Sequence, residues 1–111
     1  MDGMELYGQL NDKLRDLDEA NDRMRESGYR KAETEKEYRI AKAKKILDLR
    51  AEGFPVTICQ DVAMGCVEVA NKRFDRDCAE VEYETDREAV WSIKTSLRIL
   101  NDEIARQTAG R

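Results

Sequence analysis

One apolar stripe in the second half of the chain constrains the fold more than any other feature. Apolar or small side chains recur there every three or four residues: Val67, Ala70, Phe74, Cys78, Val81, Thr85, Ala89, Ile93, Leu97, Leu100 and Ile104. Ten steps cover 37 residues, which is close to the 3.6-residue helical period. The stripe predicts a helix over about residues 67–107, roughly 60 Å long. A second long helix is expected beside it, because a lone helix cannot bury such a stripe.

That second helix is predicted over about residues 3–51. Its apolar positions are also spaced in steps that resolve into threes and fours: Leu6, Leu10, Leu14, Leu17, Met24, Ala32, Ile40, Ala43 and Leu47. Ser27 and Gly28 interrupt the pattern, and a glycine inside a helix costs about 1 kcal/mol relative to alanine. A kink or a break is therefore an alternative at this point, although we predict that one helix continues through it.

The first helix is expected to end before Pro55, the only proline in the chain. Proline has no amide hydrogen and disfavours helical geometry in the residue before it, here Phe54. Gly53 supplies a stop signal just upstream. Residues 52–66 therefore form an elbow between the two long helices.

A short helix is predicted inside the elbow. Thr57 is followed three residues later by Gln60, which is the spacing of a capping box. This pattern predicts a helix over Ile58 to Met64 that is capped by Thr57 and ended by Gly65.

Folding the first helix back about the elbow gives an all-α, long antiparallel hairpin that resembles a coiled coil and forms a single domain over residues 1–111. Residues 30–50 carry eight bases and four acids, and they face residues 75–88, which carry seven acids and two bases. This charge complementarity accounts for the basic segment more simply than a nucleic-acid surface does. The alignment pairs Leu47 with the neighbourhood of Ala70, Ile40 with Asp77, Met24 with Ile93, and Leu17 with Leu100.

A hairpin of two helices buries only one stripe on each, which rarely offsets the backbone entropy of ordering the chain. We therefore expect a homodimer with a four-helix arrangement. Four apolar residues that lie off the stripes are predicted to form its second apolar surface: Tyr38, Ile46, Val90 and Ile99.

Composition argues against several functions. The chain has no histidine, and Cys59, Cys66 and Cys78 match no metal-binding spacing, so we expect no metal site, no cofactor and no enzymatic activity. A net charge of −4 argues against nucleic acid as a partner. No segment resembles a signal peptide or a membrane span, which favours a soluble protein of the cytoplasm.

The elbow partly matches a helix-turn-helix DNA reader, in which Val67 to Phe74 would be the recognition helix. In such motifs the small residue and the turn glycine usually stand four apart, whereas Ala63 and Gly65 stand two apart. The helix that follows also runs far beyond the length of a compact recognition helix. A bend is the better interpretation.

Residues 38–57 follow the pattern Y-R-x-A-x-A-K-x-I-x-x-L-R-x-E-G-x-P-V-T. The matching positions are Tyr38, Arg39, Ala41, Ala43, Lys44, Ile46, Leu49, Arg50, Glu52, Gly53, Pro55, Val56 and Thr57. This core and the long helix after it resemble small helical proteins encoded by tailed phages and prophages. Most such proteins have no assigned function, and they are often encoded among early or recombination genes. The resemblance implies a phage setting in a bacterial host and transfers no active-site residue.

Three functions follow from these observations. The favoured one is a non-enzymatic interaction module that self-associates and binds a phage or host protein. Phe54 and Val56 at the elbow and Trp91 on the charged side of its helix are the predicted partner-binding residues. One alternative is an inhibitor of a host defence or nuclease enzyme that acts through the acidic residues 75–88. The other is a nucleic-acid or recombination accessory factor that uses the bases of residues 30–50.

Overall fold

The computed structural model describes residues 3–110, which form three helices and no strand: α1 (Gly3–Ala51), α2 (Val56–Met64) and α3 (Val67–Ala109). The predicted all-α hairpin with a short helix at its elbow is confirmed. The chain divides into two compact units, residues 3–26 with 84–110 and residues 27–83. The single domain over residues 1–111 stays a prediction, and residues 1, 2 and 111 lie outside the described residues.

None of the helices in residues 3–110 combines the length and the apolar character that crossing a membrane requires.

The predicted stop of α1 at Gly53 is confirmed. Gly53 has a φ of 96°, which glycine adopts without the steric cost that a Cβ would bring. Its amide donates to the Arg50 carbonyl at 3.1 Å, and the Phe54 amide donates to the Leu49 carbonyl at 3.1 Å. These two bonds form a Schellman motif, which satisfies carbonyls that the end of α1 would otherwise leave unpaired.

The predicted cap of α2 is wrong. α2 begins at Val56, and its N-cap residue is Pro55, which makes no side-chain capping bond. The Pro55 carbonyl accepts the Ile58 amide at 3.2 Å, so the chain enters the helix directly after the proline. Thr57 therefore lies inside the first turn, where its hydroxyl cannot act as the N-cap acceptor. The end of α2 at Met64, followed by Gly65, is as predicted.

α1 continues as a regular helix through Ser27 and Gly28. A Cβ at Gly28 would lie 3.3 Å from Cε1 of Tyr83, so the missing side chain makes room for the tyrosine ring. Nζ of Lys31 lies over the same ring, 4.8 Å from its centroid. The close approach of Tyr83 of α3 therefore explains why position 28 is a glycine. The helix is not broken there.

The apolar core of residues 27–83 lies at the elbow end. Leu49 of α1 packs with Cys59 and Ala63 of α2, and Ile46 and Val62 cover this cluster. Val69 and Ala79 of α3 are also buried in this unit. Most of these buried side chains are small, so much of the unit is held by close helix contact and less by large apolar groups.

The predicted stripe does not face the partner helix in residues 27–83. The stripe residues of both helices are exposed here: Ala32, Ile40, Ala43, Leu47, Val67, Ala70, Phe74, Cys78 and Val81. The seam instead contains Ser27, Thr34 and Tyr38 of α1 with Ala79 of α3. Arg30 lies 3.9 Å from Glu82, and the Arg76 guanidinium lies 4.5 Å from the Tyr38 ring centroid. Gly28 lies beside Tyr83, whereas the predicted alignment would place it beside Ala89, so the helices are shifted by roughly one and a half turns.

In residues 3–26 and 84–110 the predicted stripe is largely correct. Leu6, Ala20 and Val90 are buried in this unit. Most of the predicted stripe residues there are partly buried: Leu10, Leu17, Met24, Ala89, Ile93, Leu97, Leu100 and Ile104. Leu14 and Thr85 are exceptions, because both are exposed.

The prediction of a second apolar surface, available for a homodimer, is wrong for three of its four residues. Tyr38 and Val90 are buried, and Ile46 packs against the elbow core. Only Ile99 is exposed. The homodimer itself stays a prediction, and an apolar contact between copies cannot depend on the buried Tyr38 and Val90.

Candidate interaction surfaces

The three predicted partner-binding residues are exposed. Phe54 and Val56 lie together at the elbow, on either side of Pro55. Trp91 belongs to the other compact unit, and 64% of its side chain is exposed. Their role in binding a partner stays a prediction.

Trp91 borders an open groove of about 690 Å³ in its own unit. Met24 and Val90 form apolar parts of the groove, whereas Arg87, Glu88 and Lys94 place both signs of charge around it. The backbone carbonyl of Trp91 accepts the Thr95 hydroxyl at 3.0 Å, an i−4 bond within α3. A partner that offers an apolar side chain would fit this groove.

The seam of residues 27–83 is held largely by polar and cation–π contacts. Arg76 lies over the Tyr38 ring and also 3.6 Å from Glu35. The Tyr38 hydroxyl donates to Sδ of Met64 at 3.1 Å, and the Thr34 hydroxyl donates to the Arg30 carbonyl at 2.9 Å. The Thr34 bond lies within α1 and satisfies the hydroxyl in the seam, whereas the Arg76 and Tyr38 contacts join different helices. Because these groups occupy the seam, they leave the apolar stripe residues on the outside.

Arg76 keeps its charge under all ordinary conditions. The pKa of the Arg76 guanidinium lies above its ordinary value. The largest cause is its hydrogen bonding to Asp77, and the negative charges of Asp77 and Glu35 add to the effect, while partial burial acts in the opposite direction. The seam contacts that depend on this cation are therefore insensitive to pH around neutrality.

An exposed apolar surface runs along α1 and consists of Ile40, Ala43 and Leu47, which we call the α1 ridge. The exposed fraction is 58% for Ile40 and 69% for Leu47. At about 100° per residue, Leu47 lies roughly 180° around the helix from the buried Tyr38. The α1 ridge therefore faces directly away from α3 within this unit.

A similar surface on α3 consists of Val67, Ala70 and Phe74, which we call the α3 ridge. Val67 is 73% exposed and Phe74 is 66% exposed. Phe74 lies roughly 180° around α3 from Tyr83, whose ring packs on α1 at Gly28. The two ridges consequently lie on opposite outer sides of the hairpin in residues 27–83.

The charged residues beside the two ridges differ in sign. Four bases lie within about 90° of the α1 ridge, against the two acids Glu33 and Glu37; these bases are Lys36, Arg39, Lys44 and Arg50. Asp77 and Glu82 lie within the same angle of the α3 ridge among residues 66–83, and one base, Arg73, lies at its limit, which leaves a net negative charge beside this ridge. The α1 ridge is therefore basic at its edges and the α3 ridge is acidic.

The basic segment makes few ion pairs with α3, contrary to the interpretation drawn from the sequence. Across the seam of residues 27–83, Arg30 is the one base of residues 30–50 that lies within ion-pair distance of an α3 acid, Glu82. The contacts between Lys72 and Glu37 and between Arg76 and Glu35 place the base on α3 instead. Charge pairing inside the hairpin thus leaves most of the basic segment unexplained.

A cleft of about 650 Å³ lies between the C-terminal half of α1 and the start of α3. Lys44, Lys45 and Lys72 line it, together with Asp48 and Glu68. Because the two carboxylates offset much of the lysine charge, the cleft does not favour a phosphate.

The residue types that bind metals do not gather into a site in the part of the chain that the structure describes. Within residues 3–110, no group of three or more histidine, cysteine, aspartate or glutamate side chains could hold a metal ion. Cys59 is buried, and its thiol donates to the Pro55 carbonyl at 3.2 Å. This contact makes Cys59 part of the elbow core.

The chain was compared with protein-family models, curated proteins and solved structures, and none of them matches it.

Reasoning from the sequence missed both ridges because it assigned their residues to the hairpin seam. The signal was a second apolar stripe on each helix, of which Tyr38 and Ile46 were assigned to a contact between copies although they belong to the inside of the hairpin. In α1, Tyr38 and Leu49 lie roughly opposite Ile40 and Leu47. A helix with apolar residues on two opposite sides needs a packing partner on each side. The other long helix of the hairpin can cover only one of these sides.

Proposed function

We propose that this protein is a non-enzymatic helical interaction module that self-associates and binds a second protein. The observation that carries the proposal is the pair of ridges, where large apolar side chains on two helices remain in water. Contiguous exposed apolar surface of this kind typically marks a protein contact. Covering a leucine or phenylalanine contributes roughly 1.5 to 3 kcal/mol, so covering a ridge gives association a substantial driving force.

The second protein is proposed to contact Trp91 and the elbow residues Phe54 and Val56. An exposed tryptophan beside an apolar groove supplies a large rigid anchor, which is the residue type that most often dominates interface energy. The resemblance of residues 38–57 to phage proteins supports a partner from a phage or its bacterial host, and hence a site of action in the host cytoplasm.

The test compares two isoleucines with nearly equal exposure. Ile40 belongs to the α1 ridge, whereas Ile99 lies in the other compact unit and has no ridge around it. Ile40→Glu is expected to raise the dissociation constant of self-association about tenfold or more, since burial of the isoleucine is lost. Ile99→Glu should leave it unchanged. Sedimentation equilibrium measures both constants, and circular dichroism checks that both variants stay helical.

Equal dissociation constants for the wild type and the Ile40→Glu variant would contradict the proposal. An equal loss in both variants would also contradict it, because the effect would then come from added charge and not from the ridge.

A further inference from the structure

We propose that the α1 ridge of one copy of this chain binds the α3 ridge of a second copy. This inference rests on the proposed self-association and names the surfaces that perform it. Each chain then carries both halves of one contact, a basic-edged half on α1 and an acidic-edged half on α3.

The two ridges match in spacing and in size. Ile40, Ala43 and Leu47 follow one another at steps of three and four residues, and so do Val67, Ala70 and Phe74. In both ridges an alanine stands between two large side chains, so each ridge has a central gap that can receive a large side chain from the other. Each ridge spans about 10 Å along its helix, so the two ridges are equal in length.

The flanking charges favour contact between an α1 ridge and an α3 ridge over contact between two ridges of the same kind. Two α1 ridges in contact would bring Lys36, Arg39, Lys44 and Arg50 of both copies together. Two α3 ridges would bring Asp77 and Glu82 of both copies together. An α1 ridge on an α3 ridge places bases beside acids, and like-charge contact is a strong discriminator between possible partners.

The flanking groups can make these new contacts. Lys36, Lys44 and Arg50 form no ion pair within 4 Å among residues 3–110. Asp77 and Glu82 already lie near Arg76 and Arg30, but about half of each acidic side chain remains exposed. A carboxylate has two oxygens, so each acid can accept a second cation without giving up the first.

The positions of the ridges determine the kind of assembly. Because they lie on opposite outer sides of the hairpin in residues 27–83, a pair of chains joined by one contact still has one free ridge of each type. The contact is heterologous, which means that the two chains use different surfaces. Association therefore continues beyond two copies, into a ring or an open row, as concentration rises.

The experiment uses two variants of the full chain, each with one ridge disabled. Leu47→Glu places an acid on the α1 ridge, and Phe74→Lys places a base on the α3 ridge. Alone, each variant retains only one usable ridge, so each should sediment as a single 12.8 kDa chain at a concentration where the wild type associates. Mixed in equal amounts, they should form a complex of two chains that does not grow further.

The mixed complex can only come from the intact ridges. The two disabled ridges carry opposite charges, but a lone exposed ion pair contributes about 1 kcal/mol or less, which is too little to join two chains at micromolar concentration. Ile40→Gln and Val67→Gln provide a second, uncharged pair if either first variant loses its helical content by circular dichroism.

The outcomes separate this inference from the proposed function. If the wild type associates and either single variant still forms dimers alone, the pairing of unlike ridges is overturned while self-association stands. If the mixture stays monomeric, the pairing is overturned as well. A wild-type chain that is monomeric at every concentration overturns both.

Discussion

At the scale of single residues, the elbow depends on backbone constraints more than on side-chain bonds. Gly53 takes a left-handed φ that closes α1, and Pro55 begins α2 with its fixed φ and without a side-chain cap. Thr57, which has the sequence signature of a cap, makes no capping bond. Substitutions at these positions should therefore differ sharply in their effect on stability.

Gly53→Ala is expected to destabilise the fold by about 1 to 2 kcal/mol, because alanine pays a steric cost at a φ of 96°. Thr57→Ala serves as the matched control and should change the free energy of unfolding by less than about 0.5 kcal/mol, as for an ordinary surface position. Urea unfolding followed by circular dichroism measures both. A loss of 1 kcal/mol or more for Thr57→Ala would show that its hydroxyl does cap α2.

Trp91→Ala tests the predicted anchor. With 64% of the side chain exposed, its removal should leave the helical content and the thermal midpoint nearly unchanged. It should weaken binding to a partner protein, or association of the chain, by more than about 1 kcal/mol. Titration calorimetry or sedimentation equilibrium measures the loss. Unchanged affinity for every partner, with fluorescence that stays water-like on binding, would contradict the role of Trp91.

At the scale of helices, the bounds and the elbow could be predicted from sequence, but the seam of residues 27–83 could not. Proline and glycine act locally, so Pro55 and Gly53 mark the elbow whatever surrounds them. Each helix carries two apolar stripes, and either of them could have formed the seam. Hydropathy favoured Ile40 and Leu47, whereas Tyr38 is the residue that is buried.

The physical reason lies in contacts that hydropathy does not record. Gly28 allows Tyr83 to approach α1 closely, and the bases Lys31 and Arg76 each lie over an aromatic ring. Such cation–π contacts give a charged residue a favourable place in a seam. The candidate surface was missed for the same reason, because its residues had been assigned to the hairpin interior.

Ala79→Leu tests the seam. Ala79 is fully buried between the helices, so a larger side chain should force them apart and cost about 1 to 3 kcal/mol in unfolding free energy. Ala105→Leu is the control on the same helix, at an exposed position, and should change that free energy by less than about 0.5 kcal/mol. Urea unfolding of both variants gives the comparison. A stable Ala79→Leu variant would place that residue outside the seam.

At the scale of the whole molecule, the exposed ridges are the feature that the proposed self-association explains. In residues 27–83 many of the buried groups are small or polar, while several large apolar side chains, among them Ile40, Leu47, Val67 and Phe74, stay exposed. A second copy can cover what the hairpin itself leaves in water. In the proposed assembly, the charges at the ridge edges determine which surfaces meet and how strongly salt affects association.

Raising NaCl from about 0.05 to 0.5 M should weaken self-association about threefold or more, because salt screens the exposed charges that flank the ridges. Helical content should not change over this range. Sedimentation equilibrium at several salt concentrations gives the dependence. Association that is unchanged or strengthened by salt would show that apolar contact alone joins the copies.

The most direct test of the central claim is a dilution series of the unmodified chain in the analytical ultracentrifuge, with circular dichroism at the same concentrations. We expect a mass well above 12.8 kDa at tens of micromolar, falling toward a single chain on dilution. A fully helical chain that sediments at 12.8 kDa at every concentration would contradict it, because the ridges would then remain in water without a second copy to cover them.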